Sequence, residues 1–369
     1  MESPITPQVQ YIKVKEIETA LSSLWEKHRG ENLIHASLFN LVIYVKKDLR
    51  EAYLQDIGKT IIRKYPCRMI VVTEYEHTQE EFLRAYVTDL KPDEKSTIFC
   101  DLIHFEVSES YRERIPFVLL PHLLPERPVY LLWGDDPLKK DPVILKLESR
   151  ATRTIFDSES SGNLIDFAKM ILAHQKNVFC DIADLNWARN SSWRDLFANA
   201  FNSPEKIKLI LEAKNIIITY NTVETESFSH TKIQSIYFQG WLATKLEWKL
   251  ETVLGSQNEI AFKYSSPYGG VTVTLAQGKN NQIPPGRILS VDLYSHHNER
   301  INLVRDSKDG HRVAIHHCSA HTCNMPTYYL LNNEVAGNSM MREIYNQGTD
   351  PNFLNVLQLI SSCKKEMLL

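Results

Sequence analysis

Between Phe117 and Ser158 short apolar runs alternate with residues that leave regular structure easily. Phe117 to Leu120 meets Pro121, and Pro125 and Pro128 space the loop that follows. Val129 to Trp133 is then closed by Gly134-Asp135-Asp136-Pro137. A short, unbroken apolar run between breakers reads as a strand buried on both faces. Glycine, two carboxylates and proline together read as a turn. Val143, Leu145 and Leu147 follow in a helical stretch, and Thr154 to Phe156 forms a second short run ending in Asp157-Ser158. This helix–strand–turn–helix–strand order belongs to an α/β sheet, and it places the two strands near the middle of a first domain.

The flanking chain extends the pattern. Leu33 to Val45 reads as a strand, and Asp48 begins a helix with Glu51 as capping-box partner and Leu54, Ile57, Ile61 and Tyr65 as its buried stripe. Pro66 stops it, and Cys67 to Val72 is the next strand, so this β-α-β unit predicts a parallel pair. Strands are also expected over Phe82 to Val87 and Thr97 to Val107, and Asn163 is placed to cap a helix. Beyond Ser203-Pro204 come the strand Ile216 to Tyr220, a long helix over Thr231 to Leu254 and five turn-separated runs up to Cys318. The predicted architecture is a mixed, largely parallel α/β domain with flanking helices. An α+β domain follows, with an antiparallel meander on a long helix. The expected boundaries are an arm and helix over 1–32, the α/β domain over 33–203 and the α+β domain over 204–369.

Length fits two ordinary domains. With 42 basic and 45 acidic residues the net charge is −3, which supplies no whole-chain attraction to nucleic acid or anionic membrane. No apolar run approaches bilayer length. No basic segment followed by an apolar one opens the chain, so a signal peptide is not expected. Six cysteines are too sparse for a disulfide scaffold and point to a reduced, cytoplasmic protein.

The chain carries no P-loop, G-x-G-x-x-G, H-E-x-x-H or G-x-S-x-G. No catalytic group, cofactor site or metal site is therefore expected. Asp135-Asp136 reads either as a solvated turn or as an acid pair at a strand end. Six of 13 histidines lie between His296 and His321, but His316 and His317 are adjacent on a strand and point to opposite faces, which argues against a shared zinc. Cys318 and Cys323 can meet across a tight turn as a reversible pair, or stand as unrelated thiols. Cys67, Cys100 and Cys180 sit in apolar segments, and Cys363 is expected to be exposed. Arg68, Arg150, Arg153, Arg189 and Arg194 suit a phosphate, a partner's carboxylates or internal salt bridges. Trp187, Trp193, Trp241 and Trp248 suit a core, with one or two free to anchor an interface.

Taken in order, several segments resemble OpcA, the glucose-6-phosphate dehydrogenase assembly protein family. They are Pro66-Cys67-Arg68, the run from Leu119 to Pro137 through Trp133, and Arg150-x-x-Arg153-x-Ile155-x-Asp157-Ser158. Asp184-Leu185-x-Trp187-Ala188-Arg189, Ser192-Trp193-Arg194 and Gly240-Trp241-Leu242-Ala243 complete the set. The resemblance implies a non-catalytic partner of glucose-6-phosphate dehydrogenase that helps its active oligomer assemble and raises its activity. It makes Arg68, Trp133, Arg150, Arg153, Trp187, Arg189, Trp193, Arg194 and Trp241 candidates for the interface. It also implies that C-terminal cysteines answer to thioredoxin in some members, for which Cys318 and Cys323 are the candidate redox pair. Two alternatives stay open. One is a sugar-phosphate binder or enzyme using Arg68, Arg150 and Arg153 as a clamp and Asp135 or Asp136 as base. The other is a redox- or metal-responsive module centred on Cys318 and Cys323.

Overall fold

The fold is taken from a computed structural model that describes residues 10–48, 50–93, 95–138, 141–223, 225, 230–256, 259–297, 299–319, 322–331 and 337–363. The proline-bearing start of the expected arm, and His321, lie outside the described residues.

Helix α1 (Ile17–Gly30) precedes strands β1 (Ile34–His35) and β2 (Asn40–Lys46). Helix α2 (Glu51–Ile62) then crosses to β3 (Arg68–Tyr75), followed by β4 (Leu83–Leu90) and β5 (Ile98–Ser108). The short helix α3 (Ile115–Leu119), β6 (Val129–Trp133), α4 (Pro142–Glu148) and β7 (Arg153–Phe156) come next. Helix α5 (Leu164–His174) leads to β8 (Asp181–Asp184). The sheet order is β1-β5-β3-β2-β6-β7-β8, with β4 antiparallel on β5. The β2–β3, β2–β6, β3–β5 and β6–β7 pairs are all parallel. From β5 to β8 this is a doubly wound order, whose direction reverses at β2 and β6. Buried apolar residues run through β2, β3 and β6, as a sheet covered on both faces requires.

Two local expectations differ. Leu33 to Val45 is not one strand: β1 pairs with β5 while β2 lies centrally, because Ser37 breaks the run and binds the backbone of Phe39 and Arg68. The capping box at Asp48 does not form. The Asp48 carboxylate accepts from the Arg50 N–H at 2.8 Å, and the Glu51 carboxylate instead takes the Lys47 ammonium at 2.7 Å and the Thr73 hydroxyl at 3.1 Å.

Further along come α6 (Leu185–Arg189), α7 (Ser191–Ala200), α8 (Pro204–Leu211), β9 (Ala213–Asn221) and α9 (Ile233–Lys245). The remaining strands are β10 (Lys249–Gly255), β11 (Glu259–Ser266), β12 (Gly269–Gly278), β13 (Ile288–Ser295), β14 (Arg300–Arg305), β15 (Arg312–Cys318) and β16 (Thr327–Leu330). They form a second sheet, β10-β11-β12-β9-β13-β14-β15-β16, antiparallel except for β9 with β12. Its strands alternate: Val271, Val273 and Leu275 are buried while Thr272 and Thr274 are half-exposed. The long helix ends at Lys245 rather than Leu254. Glu247 turns the chain through a left-handed φ of 55°, and the residues beyond pair with β11. Two final helices are α10 (Asn338–Tyr345) and α11 (Pro351–Ser361).

By contacts the chain forms two units, residues 1–157, 178–182 and 336–346 in the first, and 158–177, 183–335 and 347–369 in the second. Ser203, the expected boundary, lies inside the second unit, where its side chain caps α8 by accepting from the Lys206 N–H. In that unit α9 packs on β9 and β12, and α11 packs on α5 and α9.

Candidate functional site

Each central strand of the first unit ends in a charged residue, and these ends meet. Lys46 closes β2, Glu74 nearly closes β3, Asp135 follows β6 and Asp157 follows β7. The Lys46 ammonium lies 2.9 Å from the Asp135 carboxylate and 2.5 Å from Glu76. Arg50, the N-cap residue of α2, is ion-paired with Asp157, which is wholly buried. Arg112 is paired with Asp141, the N-cap of α4, and approaches Glu74 at 3.5 Å. The Tyr44 hydroxyl donates to Glu74 at 2.6 Å, and the Tyr44 ring stacks on Trp133 at 4.3 Å. Burial raises the Glu74 carboxyl above its ordinary pKa, and the Tyr44 hydrogen bond, Arg112 and Lys46 offset only part of that.

In doubly wound sheets a dinucleotide sits at this reversal point, its pyrophosphate against a glycine-rich first turn and the helix amino end. The residues here do not fit one. The β2–α2 connection is Lys47-Asp48-Leu49-Arg50, without glycine. The Glu51 carboxylate already occupies the first turn of α2. Lys46, Lys47, Arg50 and Arg112 face Glu51, Glu74, Asp135, Asp141 and Asp157, so the cluster has no surplus of positive charge. Behind it, a Cβ on Gly134 would stand 3.0 Å from the Tyr44 carbonyl and 2.5 Å from Leu54 Cδ1, so α2 closes directly onto the end of β6. Asp136 is the plain turn residue of its pair, with its carboxylate on the Leu138 N–H at 3.1 Å.

The arginines of the alternative phosphate clamp have other partners or stand apart. Arg68 is buried and gives Nε and Nη2 to one oxygen of Asp101 at 3.0 and 2.7 Å, with Nη1 on the His122 carbonyl. Burial alone would raise the Asp101 carboxyl, but hydrogen bonds from His35 and Trp25 and the Arg68 charge outweigh it and hold the pKa low. Arg153 is buried, with Nη1 on Glu343 of α10 at 2.8 Å and Nη2 on the Asn346 carbonyl at 2.9 Å. Arg150 is exposed on its own.

Of the candidate interface residues, Arg68, Trp133, Arg153, Trp187, Arg189 and Trp193 are all buried and offer no surface to a partner. They position elements instead. Trp187 donates to Asp350, the N-cap of α11, at 2.9 Å, and Arg189 donates to Asn186 at 2.8 Å. Arg194 is half-exposed, its guanidinium 3.7 Å from the centre of the Trp187 ring, and Trp241 is half-exposed and stacked on Phe238.

Cys318 and Cys323 form a disulfide, S–S 2.13 Å, across an antiparallel bridge at the end of β15. Cys323 is exposed. Cys67 and Cys100 are buried, and burial raises both thiols, Cys100 to about 11. Cys363 is buried rather than exposed, because α11 carries it into the second core, and its thiol is also raised to about 11 by burial. Among the described residues no three His, Cys, Asp or Glu stand together as a metal site. No described helix is long and apolar enough to cross a membrane.

The participants that sequence reasoning missed are Tyr44, Lys46, Arg50, Glu74, Arg112 and Asp141. Their signal was present as ionisable residues at the ends of apolar runs, but their pairing was not.

Residues 58–171 match the family model described as the glucose-6-phosphate dehydrogenase subunit N-terminal domain. Residues 180–353 match the corresponding C-terminal domain. A protein named OpcA, of the OxPP cycle, from Synechocystis sp. is 29% identical over 241 residues, covering 63% of this chain and 47% of the relative. Its namesake from Synechococcus elongatus is 27% identical over 210 residues, covering 55% and 44%. The chain thus spans about half the length of the curated relatives it matches. Among solved structures, KijD10, a 3-ketoreductase from Actinomadura kijaniata, aligns with a TM-score of 0.51 at 7% identity, covering 88% of this chain and 96% of that one. The transcriptional regulator Gal80p from Kluyveromyces lactis aligns with a TM-score of 0.50 at 9% identity, covering 92% and 95%. At such identities the likeness is one of fold.

Proposed function

The chain belongs to the OpcA family of glucose-6-phosphate dehydrogenase subunits, and from that premise we propose that it is a non-catalytic assembly factor and allosteric activator of glucose-6-phosphate dehydrogenase. It works in the cytoplasm, in the oxidative pentose phosphate pathway, by binding the active oligomer of the enzyme in preference to the inactive form. The observation that carries the non-catalytic part is the ion-paired strand-end cluster. Lys46, Arg50 and Arg112 are already matched to carboxylates where an oxidoreductase of this fold would hold its dinucleotide. Activation asks for no chemistry of its own, only for differential affinity. A tenfold shift between two states needs about 1.4 kcal/mol.

The test adds the purified protein to glucose-6-phosphate dehydrogenase from the same organism. Co-elution and a rise in kcat/KM are expected. Unchanged kinetics with no co-elution would end the proposal.

A second reading, redox control, is favoured by the Cys318–Cys323 disulfide alone. A solvent-reached disulfide in a reducing compartment is open to thiol exchange. Titration of the activation against a dithiol buffer, with Cys323→Ser as the locked reduced form, tests it. Equal activation in both states would remove it.

A further inference from the structure

The first unit carries an open groove of about 740 Å³ between α3, the loop after it and the end of α4. Its walls include Pro116, Pro121 and Pro125, whose rings fix φ at three positions of the lining. At its rim Phe117 is 68% exposed and extends the apolar lining to the surface. Around this apolar floor stand Arg127, Lys146 and Arg150, all exposed, with Glu126 the one carboxylate in the lining. Among the described residues none of the three cations has a carboxylate partner, and Lys146 only caps the Phe117 ring at 4.6 Å. Three cations against one carboxylate give this groove a net positive lining on a chain whose net charge is −3. Glu126, at the loop tip, turns the chain with a left-handed φ of 59°.

We propose that this groove docks an acidic protein segment carrying an aromatic or aliphatic anchor, supplied by the dehydrogenase. The anchor packs beside Phe117 on the proline walls, and its flanking carboxylates meet Arg127, Lys146 and Arg150. Covering three cations with a neutral or basic segment would strip their water without replacement, so the charge selects the partner while the apolar floor supplies the contact. The inference rests on the proposed partnership for the source of the segment, but not for its chemistry. It also gives Arg150 a surface role that its buried neighbour Arg153 does not share.

The experiment measures binding of the full chain to the dehydrogenase at several salt concentrations. The double variant Arg127→Glu/Arg150→Glu and the single variant Phe117→Ser are compared with wild type. Both act on exposed side chains, and unchanged thermal melts check that the fold is kept. Expected is a loss of about tenfold or more in affinity for each, with the salt dependence flattened only in the charge variant. Binding within twofold of wild type in both variants overturns the inference while leaving the partnership intact. A saturable rise in the melting temperature of the chain alone with millimolar inorganic phosphate, lost in the double variant, overturns it in favour of a small anion. If wild type does not bind the dehydrogenase, the partnership fails, and the groove is decided with a fluorescent peptide alternating glutamate and phenylalanine. Binding of that peptide, lost on lysine substitution and in the double variant, supports the groove. Equal binding of both peptides, or none, overturns it.

Discussion

His104 lies inside the first sheet with its two ring nitrogens on the Thr73 hydroxyl at 2.8 Å and the Tyr86 hydroxyl at 2.6 Å. Burial pushes its pKa down to about 4, against smaller pulls upward from Glu106 and Glu51. An unfolded chain takes up this proton below about pH 6.5, whereas the folded one resists until about 4. Stability should therefore fall as pH drops through that window, by about 2–3 kcal/mol for this group. Urea melts at pH 7 and pH 5 should show that difference shrinking in His104→Gln; an unchanged difference would assign the effect elsewhere. Arg153 gives a second case. Arg153→Met removes the guanidinium paired with the buried Glu343 carboxylate and should cost roughly 3–5 kcal/mol. Adding Glu343→Leu should recover part of it in the same melts, because the buried carboxylate goes as well. Both residues can be read off the chain as ionisable groups in apolar surroundings. Their partners cannot, since Arg153 and Glu343 stand 190 positions apart.

Among the secondary-structure segments, the short runs bounded by breakers were the readable ones. Val129 to Trp133 and Thr154 to Phe156 are strands, Val143, Leu145 and Leu147 lie in helix α4, and Asn163 opens a helix as its chemistry requires. Long runs were ambiguous. Leu250 and Leu254 match a helical stripe as well as a strand, and the available partner β11 settled the matter. Close approach is likewise invisible from spacing. Gly134→Ala should destabilise by about 1–3 kcal/mol, because the new methyl meets both a backbone carbonyl of β2 and a side chain of α2. Chemical denaturation measures this, and a neutral substitution would mean that α2 can retreat from β6.

Taken together, the doubly wound first sheet retains the topology of a nucleotide-binding fold, but its crevice is satisfied from within. NAD or NADP at millimolar concentration should leave the melting temperature of the protein unchanged within about 1 °C, since a ligand that does not bind the native state cannot shift it. A saturable rise of several degrees would show that the ion pairs open to admit a cofactor.

Composition, strand and helix periodicity and turn chemistry dictated the two sheet types and the elements bounded by breakers, because these depend on neighbours a few positions apart. The absence of glycine at the β2–α2 turn was equally plain. Which charged strand end meets which, that six arginines and tryptophans of the family motifs are internal, and that Arg150 is left beside an open groove were decided only by folding. Those outcomes depend on which distant segments come within a few ångströms of each other, and on whether the charge brought in finds its complement there or is left to the surface.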